Sequence, residues 1–177
     1  MDTNTTIIIL AISLLAFITF YVIGVYNRLV NSKNMVNDKW NEIDKQLKRK
    51  CELIPKLIGI VKEYAPQEEA IFMSILAERN RITNAFSIND KIDANDKLSA
   101  TFPKLLDLSN TYQKLIENDK FESLVSELKE IDEKINYAKE FYNEVASKHN
   151  EKISKMPTNL VAMVFSFKKY ELFKQEN

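Results

Sequence analysis

The stretch that decides the fold is Ile7–Tyr26, IIILAISLLAFITFYVIGVY, in which only Ser13, Thr19 and Gly24 are not apolar and nothing is charged. At about 1.5 Å per residue, a helix over residues 7–26 covers about 30 Å, the hydrocarbon thickness of a bilayer. A membrane span is the expectation, and a retained one. A cleaved secretory signal needs Lys or Arg ahead of the apolar run and small residues at a cleavage site. Met1-Asp2-Thr3-Asn4-Thr5-Thr6 has no basic residue, and Phe20–Tyr26 offers no Ala-x-Ala. Arg28, Lys33, Lys39, Lys45, Lys48, Arg49 and Lys50 all follow the span. The positive-inside rule therefore predicts a short extracytoplasmic N-terminus (1–6), a single pass (7–26) and a cytoplasmic domain (27–177) on the cell membrane. Tyr21 and Tyr26 fall near the inner interface.

Working outward, the rest of the 177 residues suffices for one domain with a core. Twenty-five Lys+Arg balance twenty-five Asp+Glu, so the excess basicity of a nucleic-acid binder is missing. There are two glycines, where average usage supplies about a dozen. That excludes glycine-dependent phosphate loops, nucleotide-binding βαβ turns and hairpin-rich β folds. One cysteine (Cys51) and one histidine (His149) leave metal, disulfide and acid–base chemistry thinly staffed. The expectation is no cofactor, no metal and no enzyme.

No Gly, Pro or Ser-rich linker follows Tyr26, so the membrane helix should run on into the domain. Val36, Trp40, Ile43, Leu47, Cys51, Ile54, Ile58 and Val61 recur at steps of three and four, one buried helical stripe. Asn27, Asn31, Asn34, Asp38 and Asn41 form a polar line opposite, read as solvated. Pro55 predicts a kink or short break. Pro66 suits the first position of a second helix, 66–86, with Ile71, Phe72, Ile75, Leu76, Ile82 and Phe86 on one face. Ser87–Asp96 reads as the longest loop; a calcium site there fails for want of the turn glycine and a properly spaced Glu. A third helix, about 95–116, is interrupted by Pro103. Asp119-Lys120-Phe121-Glu122 reads as a capping box with Asp119 as N-cap. Phe121, Leu124, Leu128, Ile131, Ile135, Ala138, Tyr142, Val145 and His149 then alternate three-four without a slip, predicting a helix of more than thirty residues that Met156-Pro157 stops. The apolar tail, 160–173, should fold back as a short helix, with contact to the bilayer as the other reading. The fold class is all-α: a transmembrane helix continuing into an antiparallel four-helix bundle of long helices.

Tyr26-Asn27-x-Leu29-Val30, Asn34-x-Val36, Trp40-x-x-Ile43-Asp44-x-Gln46-Leu47-Lys48-Arg49, Leu53-Ile54-Pro55-x-Leu57 and Val61-Lys62-x-Tyr64-Ala65 resemble, in order and spacing, the LemA family of bacterial membrane proteins. Glu140-Phe141-Tyr142-Asn143, Val145-Ala146, Asn150, Ile153, Pro157, Asn159 and Ala162 resemble its last helix and proline stop. The resemblance covers about residues 26–173. The chain departs from the family at Tyr112-Gln113 (usually Tyr-Pro), at Lys139 (usually Arg) and at Ser166-Phe167 (usually Gly-Phe). What the resemblance implies is a membrane-anchored antiparallel four-helix bundle; it brings no biochemical activity with it.

The family-motif positions Trp40, Ile43, Asp44, Leu47, Arg49, Pro55, Tyr64, Tyr142, Asn143 and Pro157 read mostly as structural. Trp40, Ile43 and Leu47 lie on the apolar stripe, and Asp44 is placed for an i,i+4 pair with Lys48. Lys48-Arg49-Lys50 suits an anionic partner or, more blandly, a solvated face. His149 continues the apolar register, and with Ala146 three residues before it no Glu-x-x-His di-iron motif exists. Cys51 lies on the buried stripe, where a thiol behaves as a small hydrophobe. The favoured function is a non-enzymatic scaffold at the inner face of the membrane, its partners the lipid bilayer, an unidentified protein and, as a further reading, other copies of itself. A sensor working through Pro55 is the alternative, and an enzyme a distant third.

Overall fold

A computed structural model describes residues 3–174; Met1 and Asp2 of the expected N-terminal segment, and residues 175–177, lie outside the described residues. The regular elements among the described residues are helices: α1 (Thr3–Tyr64), α2 (Glu69–Asn84), α3 (Ile88–Thr111), α4 (Gln113–Ile116), α5 (Asp119–Ser154) and α6 (Thr158–Val164).

The expected continuity beyond Tyr26 holds, because α1 is one helix of 62 residues. Of the kink or short break expected at Pro55, the break does not occur. Proline has no N–H for the carbonyl four residues back, here Cys51. Arg79 of α2 supplies the missing donor, its Nε lying 3.1 Å from the Cys51 carbonyl oxygen.

Among the described residues two compact units emerge: residues 3–39 with 141–172, and residues 40–140 with 173–174. In the second, the core stripe of α1 is buried at Ile43, Leu47, Cys51, Ile54, Ile58 and Val61, and broadened by Leu53 and Leu57. Pro66 is not the first helical residue: it sits in a turn in which the Glu68 N–H bonds the Ala65 carbonyl, and α2 starts at Glu69. Pro fits the second position of such a turn because its φ is preset. Phe72, Ile75 and Ile82 are buried as expected, but Phe86, beyond the end of α2, is fully exposed.

The loop expected over Ser87–Asp96 is instead the start of α3. Ser87 caps it, accepting the Asp90 N–H at 3.0 Å, and Ile92, Asn95 and Leu98 supply a buried face. Two of the acidic residues of this segment are ion-paired, Asp93 to Arg81 and Lys97, and Asp96 to Lys139. Nor does Pro103 interrupt α3, which runs on to Thr111. The cap of α5 lies one residue earlier than expected: Asn118 Oδ1 accepts the N–H groups of Lys120 and Phe121, and Asp119 is already helical.

Helix α5, 36 residues long, buries Phe121, Leu128, Ile131, Ile135, Ala138, Tyr142 and His149 of the expected stripe. In the first unit, Val25 and Leu29 of α1, Ile153 of α5, and Val161 and Ala162 of α6 form one apolar cluster, with Val22 and Phe167 packed against it. The tail therefore folds back as expected. Helix α6 ends in a Schellman turn: the Phe167 N–H reaches the Ala162 carbonyl (2.9 Å), the Ser166 N–H reaches Met163 (3.2 Å), and Ser166 has φ 56°.

Candidate functional site

Of the motif positions, Ile43 and Leu47 are buried and Trp40 is half-buried beneath the Lys91 ammonium, 5.9 Å from its ring centroid. Asp44 makes the expected pair with Lys48 (2.7 Å) and a second with Lys91 (2.6 Å). Burial pushes the Asp44 carboxyl up, but hydrogen bonds and charge from Lys48 and Lys91 hold it below the usual carboxylate range. Arg49 donates to Glu127 through Nε and Nη2, at 2.9 and 2.7 Å. The Tyr64 hydroxyl accepts from Asn118 Nδ2 at 3.2 Å. Tyr142 is buried, its phenol pushed up to about 12 by desolvation and by the nearby Tyr170 and Glu171. Asn143 is half-buried, and Pro157 precedes α6.

The Lys48-Arg49-Lys50 run is only partly a solvated face: Lys48 and Arg49 are exposed, but Lys50 is buried. Lys50 is 1% exposed, and its ammonium donates to Asn95 Oδ1 (2.9 Å), Ser99 Oγ (2.8 Å) and Asp132 Oδ1 (2.5 Å). Burial lowers its pKa, while the Asp132 charge opposes that shift. This node ties α1, α3 and α5 together at one level. It was legible in a second register through α1: Ile43, Leu47, Lys50, Ile54, Leu57 and Val61 step four-three-four-three-four, placing Lys50 at a core position. A neighbouring groove of about 220 Å³ runs past Cys51 between Asp44, Arg79, Thr83 and Lys91. Burial pushes the Cys51 thiol up, which makes it a poor nucleophile.

A wider open feature than this groove belongs to the first unit, beside Tyr26 at the end of the apolar stretch. It is a cleft of about 710 Å³ lined by Tyr26, Val30, Lys33, Asn34 and His149, and by the tail from Phe165 to Tyr170. Three of its lining residues are lysines, Lys33, Lys168 and Lys169, and none is acidic. The Tyr26 ring packs against Phe165 (4.8 Å between centroids) and Phe167 (5.9 Å), while His149 contacts Phe167 and Tyr170. His149 is 1% exposed and its Nδ1 is buried with no hydrogen-bond partner. Desolvation holds the imidazole pKa below its ordinary value; a backbone hydrogen bond at Lys168 works against this, and the charges of Lys152 and Lys33 add to it. Asn150 pins the tail: its Nδ2 donates to the Tyr170 carbonyl (2.7 Å) and its Oδ1 accepts the Tyr170 N–H (2.8 Å). The Tyr170 hydroxyl reaches Asn37 Oδ1 at 3.3 Å. The arrangement is a cationic rim over an aromatic wall. Sequence pattern missed it because its lysines come from segments more than a hundred residues apart, joined only when α6 folds back.

A profile described as the LemA family matches residues 39–177, more than three-quarters of the chain. No curated protein matches the sequence.

Proposed function

The chain belongs to the LemA family, and from that premise we propose that it is a non-enzymatic scaffold, held at the inner face of the membrane by the first third of α1 and presenting an antiparallel four-helix bundle to a protein partner. The observation that carries this is the single helix α1. Eighteen residues of its apolar end have a mean hydropathy of 2.7 and none of them is buried, while its other end supplies core residues from Ile43 to Val61. An exposed apolar surface of that length suits lipid, and fusing it to the core without a linker suits a device that sets position.

Support for the antiparallel arrangement comes from the order of the pairs between α1 and α5. Tyr64 meets Asn118, whereas Arg49 and Lys50, a dozen or more residues earlier in α1, meet Glu127 and Asp132 later in the chain, so the end of α1 lies by the start of α5. The pairs of α1 with α3 rise together, Asp44 with Lys91 and Lys50 with Asn95 and Ser99. A buried thiol pushed up and a buried imidazole pushed down favour the non-enzymatic reading. Orientation rests on the basic residues following the span. The sensor alternative takes its motive from a kink at Pro55, and α1 runs through that residue as one helix.

In-cell photo-crosslinking from the exposed positions Asn41 and Lys45 tests the scaffold. One reproducible heterologous protein is the expected product. Crosslinks only between copies of the chain would replace the scaffold with a homo-oligomer.

A further inference from the structure

We propose that α6 and the tail behind it form a second contact with the bilayer, lying in the headgroup region of an anionic leaflet beside the membrane span. The proposal rests on the membrane-anchor reading of α1 and extends it to a surface element.

The reasoning begins with the α6 sequence, Thr158-Asn159-Leu160-Val161-Ala162-Met163-Val164, which holds no charge. A helix apolar all round needs cover all round. Val161 and Ala162 find it on Val25, Leu29 and Ile153. Leu160, Met163 and Val164 lie on the opposite side of the helix, exposed at 55%, 76% and 76%, and Phe165 follows at 48%. Water is a poor environment for four such neighbours, so the face has an occupant.

Its position names the occupant. Val22 and Val25 belong to the last turns of the apolar stretch, and α6 packs on both, directly or through its cluster. The exposed face of α6 is thus continuous with the exposed apolar surface of α1, which includes Phe20, Tyr21, Ile23 and Tyr26. Whatever solvates the end of that stretch also meets α6. Charge agrees with this assignment: Lys168 and Lys169 follow α6 after Phe165-Ser166-Phe167, Lys33 joins them in lining the cleft, and none of the cleft's lining residues is acidic. Apolar side chains flanked by lysines at the end of a span are the composition of an interfacial segment on anionic lipid. The Schellman turn at Ser166 and the Asn150 bonds to Tyr170 fix the chain on either side of Lys168 and Lys169.

Full-length protein in vesicles tests this, with the sole tryptophan removed by Trp40→Phe and one probe introduced at a time. Vesicles contain phosphatidylcholine with or without phosphatidylglycerol, and brominated acyl chains act as the quencher. Met163→Trp and Val164→Trp should be quenched at least about twofold more than Phe141→Trp, which sits on α5 beside Lys39, about 20 Å along α1 from Tyr26. Quenching at 163 and 164 no stronger than at 141 overturns the proposal. Quenching that is equal without phosphatidylglycerol, or unaffected by Lys168→Glu with Lys169→Glu, overturns the anionic assignment. Leu15→Trp separates the two readings: if it is quenched and the α6 probes are not, the anchor stands and the interfacial contact falls. If Leu15→Trp is not quenched, the anchor falls too. Crosslinking between copies through Met163→Cys, with weak lipid quenching, would assign the face to a second copy.

Discussion

Arg79 Nε donates to the Cys51 carbonyl across 3.1 Å, at the acceptor that Pro55 leaves without its helical donor. The guanidinium does for α1 what a backbone N–H does elsewhere in it, and with a charged donor, which strengthens the bond. Arg79→Ala should therefore cost about 1–3 kcal/mol, the penalty of an orphaned buried carbonyl. In a Pro55→Ala background the helix regains its own N–H at this acceptor, and the same change should cost less. A double-mutant cycle by chemical denaturation gives the coupling, expected at about 1 kcal/mol. Additive losses would show that the Cys51 carbonyl gains nothing from Arg79.

The Lys50 node predicts an asymmetry between its two charged members. Asp132→Ala leaves an ammonium that is 1% exposed without its counter-charge, and should cost about 3 kcal/mol or more. Lys50→Met removes the charge itself and keeps most of the buried methylenes. Its cost is the orphaned Asn95 oxygen, about 1–2 kcal/mol, because the Asp132 side chain is 26% exposed and can meet water. Thermal melts of the two variants under one buffer decide the order. If Lys50→Met proves the more damaging, the node is held by the lysine's hydrogen bonds and not by charge compensation.

Ser166 occupies the left-handed position of the Schellman turn, with φ 56°. A Cβ in that conformation costs about 1 kcal/mol, and glycine relieves it. Ser166→Gly should raise stability by about that amount and slow tryptic cleavage after Lys168 and Lys169. Unchanged melting and cleavage would mean that the turn is not under strain.

Asn150 replaces a strand partner for Tyr170, donating to its carbonyl and accepting from its N–H. Asn150→Ala should free the tail, with amide exchange of residues 165–172 accelerating about tenfold, the equivalent of about 1.4 kcal/mol. Asn150→Asp keeps the acceptor and loses the donor, so its effect should fall between. Equal exchange in all three proteins would show that the aromatic contacts alone hold the tail.

How much of this was readable beforehand depended on range. The three-four periods of α1 and α5 are local, and they placed Ile43, Leu47, Leu128 and Tyr142 in the core without help from tertiary structure. Ser87 misled because serine, asparagine and aspartate favour both turns and caps; only the buried Ile92 and Leu98 behind it decide for a cap. Phe86 was assigned to a face that α2 ends too early to carry. Lys50 was masked by Cys51, since both fit a three-four count and charge argued for the cysteine. The cleft was beyond reach of pattern, because Lys33 and Lys168 meet only through the packing of α6 on Val25 and Leu29.

His149 makes the chain sensitive to mild acid. Its pKa in the fold lies below the ordinary 6.5, first because it is desolvated and further because of Lys152 and Lys33, against the pull of a Lys168 backbone hydrogen bond. As pH falls through the unfolded value, the unfolded chain takes up a proton that the fold resists, so stability drops with acidification from about pH 6.5 downward. The groups around the imidazole give no relief: Lys33 comes from α1, Lys152 from α5, Lys168 and Lys169 from the tail, and the remaining lining groups are Tyr26, Asn34, Ser166, Tyr170 and apolar side chains. Carboxylates held low by their partners, among them Asp44, lose their contribution only at more acid pH, which separates the two effects. His149→Gln cannot take up a proton, so the difference in melting temperature between the parent and this variant should change between about pH 7 and about pH 5, the parent losing more. Parallel curves over that interval would mean that the imidazole titrates alike in the folded and unfolded chain and that its burial is relieved by water.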